Sequence, residues 1–257
     1  MKNNQKGINE FLETFNRTHS AQNSPLEIII VDNCSSPPIE LPSNTSPCHV
    51  KLFQCKKLGP ASARNVGWKI ARGEWILFTD SDCTPSKNWI SGYIKGANGS
   101  IGYAGNVLPL SHDPISKYYE TQGILIPSRY YLNDVTYPDY LITANCLIWK
   151  KALESIDGFN ESIKIAAGED IDVGFRLREI GNLSFAWDSL VYHDFSDGLW
   201  GFVKRFYRYG KGNGKLSKIF SLNMRPRGIK PQEKTLLNSI LAKIQHISLL
   251  GGYYSRL

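Results

Sequence analysis

The chain has 257 residues, 42% hydrophobic and 21% charged, which suits a globular protein with one large core and a small appendage. No run reaches the roughly 18 consecutive apolar residues of a membrane span, and the polar stretch Met1 to Gly7 lacks the apolar core of a secretory leader. The net charge of +7 is uneven: residues 198–257 hold twelve of the thirty Lys and Arg and one acid, Glu233, so this segment is +11 and residues 1–197 are −4.

In chain order, Ile8, Phe11, Leu12 and Phe15 fall at helical spacing. Asn23-Ser24-Pro25 marks a turn, and EIIIV at 27–31 reads as a buried strand ending at Asp32. Residues 37–47 are Pro-rich and predict a loop. A strand is expected over 50–55 and a helix over 60–72, with Pro60 in its first turn and Gly73 past its end. EWILFT at 74–79 is a strand that stops at Asp80-Ser81-Asp82. A helix over 85–96 and a strand over 101–107 follow, and 108–138 reads as a long, partly structured loop. A strand at 143–149, a helix at 150–156 and a turn at 157–159 precede a helix opened by Gly168-Glu169-Asp170 and closed by Gly181. One or two strands lie within 183–192, and helical patterns occupy 199–209 and 232–249. Helices alternating with short apolar strands predict an α/β fold with a doubly wound, mostly parallel sheet, here 1–197, followed by a basic, aromatic helical extension, 198–257. The five cysteines are odd in number and lack metal-finger spacing, so free thiols in a reducing cytosol are expected.

Ligands of open parallel sheets bind beyond the carboxyl ends of the strands. Two strands here end in acids, at Asp32 and at Asp80 and Asp82. An Asp-x-Asp pair is repulsive unless a cation compensates, and Mg²⁺ or Mn²⁺ prefers such hard oxygen ligands and bridges to phosphate. Taken alone, the motif is more often a solvated acidic turn. Glu169 and Asp170 likewise suit ordinary helix capping, since acids are favoured at helix N-termini. Arg64, within the 60–72 helix, reads as an anion contact or as a surface ion pair. His193, after the last strand-like run, is by itself a structural histidine or a metal ligand.

In this order the stretches EIIIVDNCSS (27–36), GPASARNVGWKIARGEWILFTDSDCTPSKNWI (59–90), TANCLIWKKALESIDGFNES (143–162) and GEDIDVGFRLREIG (168–181) resemble the family 2 glycosyltransferases of GT-A fold. The resemblance covers roughly residues 7–197. It implies an inverting, metal-dependent transfer of a sugar from a nucleoside-diphosphate sugar to a hydroxyl of a glycan or lipid-linked acceptor, in glycan or surface polysaccharide synthesis. It implies Asp32 at the nucleotide base, Arg64 beside the nucleotide, Asp80 near ribose or metal, and Asp82 on Mn²⁺ or Mg²⁺. His193 would be a further metal ligand and Asn145 would line the donor-sugar pocket. Asp170 would be the catalytic base, with Glu169 beside it.

Relatives begin with an apolar strand that ends at the nucleotide; here only Met1 to Gly7 precede the first helix. The expectation is a start upstream of Met1, or a non-catalytic nucleotide-sugar-binding or scaffold paralogue. A nucleotidyltransferase is disfavoured because no glycine-rich basic phosphate loop opens the chain. The basic tail suggests closure over the donor diphosphate, peripheral contact with an anionic membrane from the cytoplasmic side, or a packed helix with a solvated basic face. No nucleic-acid partner is expected.

Overall fold

The structure, a computed structural model, describes residues 2–42 and 46–255. The middle of the expected 37–47 loop, residues 43–45, therefore lies outside the described residues. Helix α1 (Gln5–Thr18) is capped by Asn4, whose side chain accepts from Gly7 N. It buries Ile8, Phe11, Leu12 and Phe15, and Phe11 and Phe15 meet Trp89 edge-on at 5.8 and 6.4 Å. Strand β1 (Glu27–Asp32) pairs in parallel with β2 (His49–Gln54). Helix α2 (Pro60–Ile70) buries Ala61 and Trp68 in a core shared with Ile76, Phe78, Ile148, Leu153, Val173 and Leu177.

The main sheet comprises β3 (Trp75–Thr79), β4 (Cys83–Pro85), β5 (Gly102–Pro109), β8 (Asn145–Trp149) and β9 (Leu183–His193), in the order β3-β8-β5-β9-β4. Helices α3 (Trp89–Gly96), α4 (Pro114–Gln122), α5 (Lys150–Ser155) and α6 (Glu169–Arg178) complete the α/β arrangement of a sheet flanked by helices. Strand directions are more mixed than the alternation predicted: β5 and β9 are parallel, whereas β8 runs antiparallel to β3 and β5, and β4 antiparallel to β9. The alternation argument assumes a helical crossover before each strand. Between β5 and β8 the chain passes through α4 and then the hairpin of β6 (Arg129–Leu132) and β7 (Val135–Pro138), so no helix directly precedes β8.

The β5–β9 register shifts between Gly105 and Asn106, where Ala186 and then Leu190 are the partners. Carbonyls freed by this irregularity need donors. The 1%-exposed Asn145 supplies them, its Nδ2 donating to Asn106 O and Ser189 O.

The C-terminal segment forms α7 (Gly198–Phe220) and α8 (Leu236–Tyr254), packed on each other. Their backbones approach so closely that a Cβ at Gly210 would run into Leu249 O, and one at Gly252 into Tyr207 O. Phe202, Phe206, Leu241 and Ala242 bury a satellite core with Tyr118 and Tyr119 of α4. Helix α8 is unusual in what it hides. Asn238, Gln245, Ser248 and Gly252 are buried alongside Leu241 and Ala242, while Leu236 (80%), Ile247 (68%), Leu237 and Ile240 (46% each) face outward.

Candidate active site

Three segments distant in sequence meet at Arg64. Helix α2 holds this arginine with 15% of its side chain exposed. Its Nη2 donates to Asp80 Oδ1 at 2.9 Å and its Nη1 to Glu169 Oε1 at 2.6 Å. Asp80 stands where β3 ends, and Glu169 is the first residue of α6. Two acids of opposite loops therefore grip one cation. Burial opposes the guanidinium charge, but Asp80, Glu169 and Asp170 overcome it and raise its pKa. Glu169 keeps 4% side-chain exposure, and its Oε2 has no hydrogen-bond partner.

Asp170 follows on the first turn of α6 and accepts from Ile171 N. Burial, then the neighbouring Glu169 charge, raise its pKa to about 7, with Arg64 opposing. Such a value suits a general base near neutral pH. Asp172, two residues on, has a structural role instead: it is 1% exposed and paired with Arg176 at 2.6 Å.

The Asp80-Ser81-Asp82 turn closes through Cys83 N to Asp80 O, and Asp82 O accepts from Asp194 N. Asn4, the cap of α1, also donates to Ser81 O and Oγ at 3.1 and 2.9 Å, tying α1 to the turn. Asp82 Oδ2 faces His193 Nε2 at 3.5 Å. Partial burial raises the Asp82 pKa; His193 lowers it and Asp80 raises it. His193 Nδ1 lies 2.8 Å from Asp194 O. A carbonyl only accepts, so Nδ1 carries the proton and Nε2 presents a lone pair to the carboxylate. The space between Asp82 Oδ2 and His193 Nε2 can take a ring proton or a cation. A backbone carbonyl on the far nitrogen is also the usual way of orienting a ligating histidine. Asp82 and His193 are residues whose donor atoms could hold a divalent cation.

The other two expected site residues are engaged elsewhere. The structure does not bring Asn145 to the crevice. Besides its two donated bonds, its Oδ1 accepts from Trp89 Nε1 and Tyr93 OH at 2.9 and 2.8 Å. This is a fully satisfied core position, created by the β5–β9 irregularity. Asp32 is 3% exposed and accepts from Ser35 N and Ile39 N. Its carboxylate caps the loop after β1, and these bonds outweigh burial and lower its pKa.

Sequence reasoning offered the basic tail for closure over the diphosphate but singled out no residue of α7 as part of the site. Arg205 donates to Tyr119 OH at 2.9 Å and pairs with Asp197 at 3.0 Å; its charge reaches Asp82. His193 stacks on Phe195 at 4.4 Å, and Phe195 on Tyr119 at 4.0 Å, so an aromatic column joins the histidine to α7. Gly168 adopts a left-handed conformation, φ 93°, to cap α6. A Cβ there would press on Leu216, and one at Gly212 would crowd Ala167 O. Helix α7 therefore rests directly on the loop that presents Glu169 and Asp170. The signal in the sequence was the small residues of YGKGNGK (209–215), read only as part of a basic tail. A cleft of about 530 Å³ lined by Asn3, Gln5, Pro37, Ile39 and Glu40 opens beside α1, but none of the clustered residues lines it. Its one charged lining residue is Glu40.

Residues 1–157 match the family described as glycosyl transferase family 2. The pre-mycofactocin glycosyltransferase of Mycobacterium tuberculosis is 27% identical over 195 residues, 72% of this chain and 41% of that protein. The chain thus spans less than half the length of the curated relatives it matches. Among solved structures, S. aureus TarS 1-349 in complex with UDP-GlcNAc superposes with TM-score 0.53 at 18% identity, covering 100% of this chain and 71% of that one. TarS 1-349 described without a ligand gives TM-score 0.52 at 20% identity, covering 100% and 70%. These likenesses show the fold, a GT-A-type α/β arrangement.

Proposed function

The chain belongs to glycosyl transferase family 2, and we propose that it transfers a sugar, with inversion, from a nucleoside-diphosphate sugar to an acceptor hydroxyl at the cluster around Arg64. The observation that carries this reading is the convergence of Asp80, Glu169 and Asp170 on one buried arginine. An acceptor hydroxyl is a poor nucleophile at neutral pH. Asp170 has the pKa to take its proton as oxygen attacks the anomeric carbon. Attack opposite the leaving group inverts that carbon and requires no enzyme nucleophile. Charge then develops on the departing diphosphate, and Arg64 and Arg205 are the cations near it. Asp82 and His193 would hold a divalent ion, which when bound supplies positive charge for the leaving diphosphate.

UDP and UDP-GlcNAc, the ligands of the TarS complexes, are the first donors to try. Isothermal titration of the chain with UDP and Mn²⁺, beside Asp82→Ala, tests the reading: binding is expected to need metal and to be lost in the variant. No binding by either protein overturns it. Binding without transfer is a second reading, favoured by the engagement of both Asp32 oxygens in their own loop; hydrolysis or transfer of labelled UDP-GlcNAc separates the two.

We further propose that the acceptor is lipid-linked or a surface glycan and that the basic tail lies against an anionic membrane. No helix among the described residues is long and apolar enough to cross one. The outward leucines and isoleucines of α8 sit in a segment of net charge +11, the combination that favours an anionic interface.

A further inference from the structure

We propose that Cys83 is a third protein ligand beside Asp82 and His193, so that the site takes a thiophilic divalent ion such as Zn²⁺ or Co²⁺ in preference to Mg²⁺. This rests on Asp82 and His193 being metal residues, and adds both a ligand and a class of metal. Cys83 and His193 are direct partners in the antiparallel pairing of β4 with β9, so their side chains leave the same face of the sheet. One Asp82 oxygen, one His193 ring nitrogen and Cys83 Sγ lie within 4.8 Å of one another. Ligands bound at about 2.0–2.3 Å in a tetrahedral shell stand roughly 3.5 Å apart. About an ångström of side-chain adjustment therefore closes the set.

The donor chemistry determines which metal it suits. Mg²⁺ prefers a shell of oxygens, whereas a mixed carboxylate, imidazole and thiolate set selects borderline and soft ions. On coordination the Cys83 sulfur donates an electron pair to the ion and its proton leaves to solvent; nothing is oxidised or reduced. Cys83 is 2% exposed and His193 7%, while the Asp82 side chain is 45% exposed. Cys83 and His193 would thus hold an ion from the inner side and Asp82 from the exposed side.

The test is optical. The chain is stripped with chelator and titrated with Co²⁺. A near-ultraviolet thiolate-to-cobalt charge-transfer band is expected, saturating at one equivalent. It should be lost in Cys83→Ser and kept in Cys34→Ser, which removes the exposed thiol. Zn²⁺ should displace the cobalt where equal Mn²⁺ does not, and Cys83→Ser should reduce the preference for Zn²⁺ over Mn²⁺ by at least about tenfold. The absence of a thiolate band in the unmodified chain overturns the inference, whether or not the variant folds; so does a band that survives Cys83→Ser. Metal-dependent UDP binding without the band removes Cys83 and leaves the donor-site reading intact. The band without UDP binding does the reverse.

Discussion

Replacing Arg64 with methionine should destabilise the protein and not merely silence it. Arg64 is 15% exposed and Glu169 4%, at 2.6 Å. Opposite charges about 4 Å apart attract by about 4 kcal/mol at an effective dielectric near 20. The larger cost of Arg64→Met is the carboxylate left buried without its partner. Removing one member of a buried pair typically costs about 3–5 kcal/mol. Asp80, at 36% exposure, recovers solvation and adds about 1 kcal/mol or less, and the methionine stem restores some packing. A net loss of about 3–4 kcal/mol follows, which lowers Tm by about 10 °C in a chain of this size. Urea and thermal unfolding at neutral pH measure it. Adding Glu169→Gln to Arg64→Met removes the stranded charge and should recover at least about half the loss. A single variant within about 1 kcal/mol of the parent, or a double variant no better than the single, would refute the account.

The pKa of Asp170, about 7, fixes two signs. The transfer rate should rise with pH through about 7 as the base ionises, and Asp170→Asn should lose about 10²–10⁴ in rate; a rate flat from about pH 6 to 8 would exclude Asp170 as base. Because the folded carboxyl holds its proton more tightly than the unfolded one (pKa about 4), this group favours the folded state at low pH. That contribution is lost between about pH 4 and 7. Chemical denaturation across that range should show the decline in the parent and its absence in Asp170→Asn. Asn145→Ala, which strands the donors and acceptors around the β5–β9 irregularity, should cost about 3 kcal/mol. The affinity of the folded fraction for UDP should stay unchanged; a selective loss of affinity would return Asn145 to the donor pocket. Sedimentation with anionic vesicles should pellet the parent but not a chain carrying Ile240→Glu and Ile247→Glu, and equal pelleting of both would remove α8 from the membrane contact.

The parts of the fold legible in sequence were those with a strong local period. The β-branched run of β1 and the apolar run of β3 appear within a residue of their expected bounds, and the stripe of α1 lies in a helix that extends three residues beyond it at each end. Strand β4 was not legible. Its three residues exist because His193, Tyr192 and Val191 lie opposite, and Pro85 pointed to a helix start. The hairpin at 129–138 did leave a signal that went unread. Asn133 and Asp134 both take positive φ, 49° and 60°, between two strands rich in tyrosine, a two-residue turn of the kind asparagine and aspartate favour. Within the site, Arg64, Asp80, Glu169 and Asp170 come together because Asp80 follows the end of β3, Glu169 and Asp170 open α6, and Arg64 lies on α2 between them, elements whose bounds the local sequence marks. Asn145 differs because its role depends on a shift in pairing between β5 and β9, which no single stretch encodes. Arg205 comes within electrostatic reach of Asp82 through the packing of α7, an effect between residues more than a hundred positions apart.

The seat of α7 on Ala167 and Gly168 has a consequence for modularity. A helix of 23 residues is a stiff rod about 35 Å long, and here its C-terminal half, at Gly212 and Leu216, bears on the two residues that precede Glu169. The tail and the sheet are therefore one mechanical unit. A chain cut after residue 197 would leave Tyr119 and Phe195 uncovered and the loop of Glu169 without its abutment.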